Sequence, residues 1–346
     1  MERFRIPTDP GISPLDAGES LQILATAGLA GPENEWFRPP VRLLEARFIP
    51  EGSKSAVGIV PQKWPIDLFP MAAAGFSPDA EAHLRQVALH AGLSEFETLG
   101  RAEALDVMGA RFALPLPKDA SAISLPIPRL NQVREAGLAM VARSVIQYLD
   151  GDFEGAELTL KTLISAGLVY GKDAPFLIDT LIGYVLVGYG ADALIGLYEA
   201  SGRTQQADAL RWVREATQTM GKATRSSSFG DNASESLQRM PSRVLSETEL
   251  RGIRWEYFML LAGISPCINS HQIVFGPGMS QEDFMRSAKK ELVRYPTEAA
   301  VWEVLGKGFF DLPEVRGLGG LAAKVTGATL GPRAGRCAAF LVASYF

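Results

Sequence analysis

The nearest approach to a catalytic pair in this sequence is Cys267 with His271, a thiol four residues from an imidazole. A nucleophilic cysteine works as the thiolate that a neighbouring base produces. Such a pair is made in three dimensions, so closeness along the chain proves nothing, and a lone cysteine is ordinarily a small buried apolar residue. Ser265 to Gly278 still forms a compact island of polar and turn residues between helical stretches. It is the first place to look for a ligand or partner contact.

Other constellations fall short of their chemistry. A structural zinc site needs four ligands at recognisable spacing, and two cysteines (Cys267, Cys337) with three histidines (His83, His90, His271) do not provide it. Asp150-x-Asp152-x-Glu154-Gly155 begins like a calcium loop, but the twelfth position, which must supply a bidentate glutamate, is Lys161. A helix–helix turn explains these residues better. Gly167-Leu168-Val169-Tyr170-Gly171-Lys172-Asp173 has three residues between its glycines instead of four. It also places an acid where a phosphate loop needs Ser or Thr. Gly317-Leu318-Gly319-Gly320 lacks the dinucleotide spacing. No catalytic, metal or cofactor residue is therefore assigned.

The elements that would position any site come from a chain of 346 residues, 47% hydrophobic and 21% charged, with net charge −5. This is the composition of a folded chain of about two domains or one repeat array, with no pull toward nucleic acid. Two cysteines do not make a disulfide framework, and the start at Met1 has no basic-then-apolar leader pattern.

Fifteen of the 22 prolines lie before Leu130. Proline removes a donor and restricts its predecessor, so the stretch before Ser77 is expected to be mostly extended chain, turns and short strands. Asp67-Leu68-Phe69-Pro70 is read as non-helical. The 41–49 run is ambiguous between strand and helix. Trp36, Phe37, Trp64, Phe69 and Phe76 are expected to pack on this chain or on a partner.

Helical signals begin at Ser77-Pro78, a cap followed by proline at the first helical position. A helix is expected from Asp79 to Ala91 and is stopped by Gly92. Ser94-Glu95-Phe96-Glu97, read as a capping box, opens another to about Met108. Leu130, Val133, Ala136, Leu138, Met140, Val141, Val145, Ile146 and Leu149 fall at helical spacing. After Asp150-Gly151-Asp152 comes a helix expected to end at Gly167.

Pro175 to Ala200 is the most apolar stretch, read as one long or two broken helices. It is long enough to span a bilayer. Asp179 and Asp192 interrupt it, each costing about 2.5–3.5 kcal/mol at membrane depth, so burial in a helical stack is expected instead. Arg143 and Lys161 are possible partners for these acids, although Asp192 is read first as the cap of a new helix. After Ser201-Gly202-Arg203-Thr204 a helix is expected from Gln205 to about Met220. Trp212, Trp255 and Trp302 are taken as core residues.

The polar stretch around Arg225–Ser234, with the acceptor pattern Asn232-Ala233-Ser234, predicts a linker or surface loop. Beyond it, Ser246-Glu247-Thr248-Glu249 is read as a capping box, Ser280 as the cap of a helix stopped at Tyr295-Pro296, and Thr297 as the next cap. The apolar end, Ala338 to Phe346, is expected to dock into a groove. The expected organisation is an extended proline-rich region over 1–76, a helical-repeat domain over 77–222, a linker over 223–245 and a helical region over 246–346.

Two junctions match. Tyr148-Leu149-Asp150-Gly151-Asp152-Phe153-Glu154-Gly155-Ala156 and Leu197-Tyr198-Glu199-Ala200-Ser201-Gly202-Arg203-Thr204-Gln205-Gln206-Ala207 each carry Gly at a turn and Ala five positions later. Over residues 130 to 220 this resembles the tetratricopeptide (TPR) repeat family. The resemblance implies a mainly α protein of stacked antiparallel helix pairs, whose concave face commonly binds peptides or partner proteins. The glycines lie 51 residues apart against a repeat of about 34, and no family functional residue carries over. The function expected is a non-catalytic protein-interaction or scaffold module, with protein partners and no nucleic acid. A peripheral accessory subunit of a membrane protein assembly is the alternative, and an enzyme using Cys267 and His271 comes third.

Overall fold

In an α-helix, a residue without Cβ lets a second backbone come close enough to touch, and this chain uses that property at its centre. The structure, a computed structural model, describes residues 5–14, 17, 68–90, 92–109, 112–116, 130–212, 214–215, 247–259 and 281–310. These are mainly helical, with no strand among them. In chain order the helices are α1 (Leu68–Ala74), α2 (Pro78–Ala88), α3 (Gly92–Arg101), α4 (Leu130–Leu149), α5 (Phe153–Asp173) and α6 (Leu177–Ala200). There follow α7 (204–212), α8 (Glu247–Met259), α9 (Gln281–Leu292) and α10 (Pro296–Phe310).

The α5–α6 pair is the centre. A Cβ on Gly183 would lie 2.6 Å from Gly171 Cα and 2.7 Å from Gly167 O, and one on Gly190 would lie 2.6 Å from Ile164 Cγ1. Gly167 does not end α5 as expected, since α5 continues to Asp173, and of the two readings of the 175–200 stretch the structure has the one long helix, Leu177–Ala200. Glycine costs helix stability, about 1 kcal/mol per residue relative to alanine, but here it permits backbone contact over more than two turns. α6 is long and apolar enough to cross a membrane by length and composition, yet 67% of that stretch is buried within the chain.

Around this pair, α4 packs on both α5 and α6, α2 on α4, α3 on α5, and α1 across α4 and α6. One apolar cluster runs through all of them, with Leu84, Leu99, Met140, Leu163 and Leu194 fully buried. Arg143 of α4 fastens the α2–α3 corner by donating to Ala88 O (2.9 Å) and to Glu97 Oε1 (2.6 Å). Residues 5–14 lie along the end of α3, where Arg5 donates to Ala102 O (2.6 Å) and Asp9 N to Arg101 O (2.9 Å).

A second cluster joins Met108, Phe112 and Leu116 to α8, α9 and α10. Phe258 stacks on Trp302 at 3.7 Å, and Trp255 meets both edge-on. Trp255 and Trp302 are core residues as expected, whereas Trp212 is 40% exposed. Its α7 neighbours make surface contacts, such as Arg211 with Glu199.

Local boundaries moved for local reasons. Leu68-Phe69-Pro70 is helical after all. Pro70 sits in the first turn of α1, where a missing N–H is not needed. Leu68 and Phe69 are fully buried, and Phe69 meets Tyr148 edge-on at 5.6 Å. α2 begins with Ser77 accepting from Ala80 N as expected, but ends at Ala88. Gly92 then opens α3 instead of stopping α2, because His90 Nδ1 accepts its N–H at 3.1 Å; Ser94 is inside the helix and not its cap. α3 ends at Arg101, well short of Met108. Thr297 likewise lies one residue inside α10, which starts at Pro296. The 41–49 run, Trp36, Phe37, Trp64, the 223–245 stretch, Ser265–Gly278 with Cys267 and His271, Cys337 and the apolar end all lie outside the described residues.

Gly183→Ala should lower stability by about 1–3 kcal/mol, the cost of overpacking, despite the better helix propensity of alanine. Urea unfolding followed by circular dichroism measures this, and a stability equal to or above the parent would contradict the contact.

Candidate functional site

Two polar centres organise the described residues. The first is the seam between the matching turns. In the α4–α5 turn, Asp150 N donates to Ile146 O, Gly151 N to Tyr148 O, Asp152 N to Gln147 O and Ala156 N to Asp152 O. In the α6–α7 turn, Ser201 N donates to Leu197 O, Gly202 N to Glu199 O, Arg203 N to Tyr198 O and Ala207 N to Arg203 O. The two ladders are the same, bond for bond. Gly151 and Gly202 take φ of +82° and +72°, the left-handed region that closes a helix C-terminus in this motif. Ala156 and Ala207 are both fully buried.

The turns also touch. Tyr148 Oη donates to Ala200 O (3.5 Å), and the Arg203 guanidinium lies 3.8 Å above the Phe153 ring, a cation–π contact. Glu157 is the shared anion: it accepts from Tyr198 Oη at 2.8 Å and pairs with Lys161 Nζ at 2.5 Å and Arg203 Nη1 at 3.8 Å. Burial would raise its carboxyl, but Lys161, Tyr198 and Arg203 outweigh that and hold it below its ordinary 4.5. Burial, together with donation to Glu157, pushes the Tyr198 phenol up.

The residues of the calcium-like run serve the same turn. Asp152 caps α5 by accepting from Gly155 N (2.9 Å), and Asp150 takes both arms of Arg85 at 3.0 and 2.8 Å, which lowers its pKa. Gly167 to Asp173 is continuous helix, so it has no loop in which to hold a phosphate.

The second centre surrounds Arg251, which is 3% exposed. Its Nη1 donates to Asp173 O (2.9 Å) and Ala174 O (3.2 Å), and its Nη2 to Leu292 O (3.1 Å) and to Glu298 Oε1. One guanidinium thus serves carbonyls at the ends of α5 and α9 and an acid in the first turn of α10. Such carbonyls have no partner within their own helix, and the planar fork of arginine suits several acceptors at once. Glu298 Oε2 in turn accepts from Arg294 N (2.7 Å) and Tyr295 N (3.3 Å), half of a capping box. Asp173 accepts from Leu105 N (3.0 Å) and pairs with Arg294 (3.5 Å). Burial drives the Glu298 carboxyl up, opposed by Arg251 and the Arg294 backbone, and it also raises the Tyr295 phenol beside Asp173.

The acids of α6 found other partners than those expected. Asp179 accepts from Tyr170 Oη at 2.8 Å. Asp192 does not cap a helix: it lies within α6 and pairs with Arg214 at 2.8 Å, with burial raising its pKa. Arg143 and Lys161 are engaged with Glu97 and Glu157 instead. Arg251 and Glu298 were missed altogether. The available signals were a charge at i, i+4 and i+7 spacing with Trp255 and Phe258, and Pro296 with Glu298 at the first and third helical positions.

Chemically, both centres hold carboxylates whose oxygens are engaged by cations and N–H or O–H donors. Among the described residues no group of three His, Cys, Asp or Glu could hold a metal ion.

Arg251→Met should cost about 3–5 kcal/mol in denaturant unfolding, because it strands Glu298 in the interior. A change under about 1 kcal/mol, the scale of a surface pair, would contradict that burial. Glu157→Gln tests the seam through pH. A carboxylate held low contributes stability that is fully present above its unfolded value, 4.5, and is lost as pH falls through the folded value. The advantage of the parent over the variant should therefore be constant near neutrality and shrink below about pH 4.5; an advantage that grows on acidification would reverse the assignment.

In comparisons with family models, with curated proteins and with solved structures, nothing matches this chain.

Proposed function

We propose that this chain is a non-catalytic interaction scaffold of stacked helix pairs that binds protein partners. The observation that supports this reading is the identity of the two turn ladders, 51 residues apart in sequence and side by side in space. Repeated closure of the same helix–turn–helix unit is how helical-repeat proteins extend a surface one pair at a time. The longer spacing is taken up by longer helices: α5 and α6 have 21 and 24 residues.

A second support is what the buried acids do. Asp173, Asp179 and Glu298 each accept hydrogen bonds that tie one element to another. Their chemistry is spent on geometry. The outer faces of α5 and α7 carry Leu158 and Trp212, 47% and 40% exposed, on helices that each follow one of the matching turns. Large apolar side chains at the surface, and Trp above all, are the kind that anchor protein interfaces.

The test is native mass spectrometry of the full chain purified from its natural source. The expected result is one reproducible protein partner at fixed stoichiometry, retained in Cys267→Ser and weakened at least tenfold in Leu158→Glu/Trp212→Glu. A lone chain, a chain carrying a tightly held small molecule, or loss of the complex in Cys267→Ser would overturn the reading.

A further inference from the structure

We infer that Arg251 is a latch: it fixes a separately releasable unit, α8, α9 and α10, against the end of the α4–α6 stack. The unit is built around the second apolar cluster, which it shares with Met108, Phe112 and Leu116 and which is distinct from the one that runs through α1 to α7. Its core, the Trp255–Phe258–Trp302 group, lies wholly within α8 and α10. Phe176, at the start of α6, packs against that cluster, and the contacts that fix the unit's orientation at this junction are polar and directional. Arg251 reaches Asp173 O and Ala174 O on one side and Leu292 O and Glu298 on the other, and Arg294 of the unit pairs with Asp173.

An apolar boundary can slide, since dispersion and burial have no preferred register. A guanidinium held by three carbonyls and a carboxylate fixes one orientation. It also makes release abrupt: once the fork leaves, the carbonyls of Asp173, Ala174 and Leu292 and the Oε1 of Glu298 lose the same partner together. Buried ion pairs contribute little net stability compared with apolar packing, and their best-attested use is to specify one arrangement. Placement at the junction of two clusters, instead of within either, matches that use. Trp255 Nε1 donates to the same Leu292 O (3.3 Å), so the latch and the unit's leading aromatic share one acceptor.

Hydrogen exchange read by mass spectrometry on the full chain tests this. In Arg251→Met, amide protection in α8, α9 and α10 should fall at least tenfold while α4, α6 and the first half of α5 stay within threefold of the parent. Arg251→Lys keeps the charge but not the planar fork, and should show the same selective loss in smaller degree. Leu163→Ala, in the stack core, should instead lower protection across both units. Unchanged protection in α8–α10 with Arg251→Met, or an equal loss in both units with either Arg251 variant, overturns the proposal. These readings do not depend on any partner, so the latch and the scaffold function stand or fall separately.

Discussion

Backbone against backbone at Gly167, Gly171 and Gly183 is the constraint from which the rest of the described structure follows. Where the two backbones touch there is no room for a side chain, and Ile164, Leu186 and Val187 pack beside those points. The apolar residues of α5 and α6 must be covered from elsewhere. α4 provides the cover on both, with α3 against α5 and α1 and α8 against α6. Leu163, Val169, Leu186 and Leu194 are fully buried as a result. This also explains why an exceptionally apolar helix is held inside the chain: its apolar surface is used from several directions.

The same economy shapes the polar centres. Helices of 20 residues or more end far from where they begin, and their terminal carbonyls must be satisfied where they arrive. At the turns, local chain does it through a left-handed glycine and a short backbone ladder. At the end of α5 no such turn forms. Ala174 adopts an extended conformation, and the open carbonyls are taken by Arg251 from far along the sequence. Local and remote solutions to one problem therefore sit at opposite ends of the same helix.

How much of this was legible depended on whether the cause was local. Mainly helical content, the Ser77 cap, the Asp150-Gly151-Asp152 turn and the apolar face of α4 were readable, because spacing and capping chemistry act within a few residues. The glycines of α5 and α6 misled. A sequence shows their cost to an isolated helix but not the neighbour that makes the absence of a side chain useful. His90 capping α3 was hidden because imidazole is not an ordinary capping group. Asp192 was misread as a cap because its partner, Arg214, arrives from a helix that returns alongside α6. The Arg251 centre joins positions 41 to 78 residues apart, and no local pattern encodes such a meeting. Its traces were a cation among tryptophan and phenylalanine on a helix face, and Pro296 with Glu298 at the start of α10.

That separation carries a consequence for biosynthesis. Asp173 leaves the ribosome 78 residues before the arginine that will neutralise its helix end. At about 5–20 residues per second, the growing chain spends about 4–16 s with α5 complete and its final carbonyls still facing water. Nascent α5 and α6 can zip together within that interval, once Gly183 and Gly190 have followed. Translation thus delivers the central hairpin before its distant closure, and a pause between codons 200 and 251 would prolong the stage at which the hairpin stands finished but unsealed.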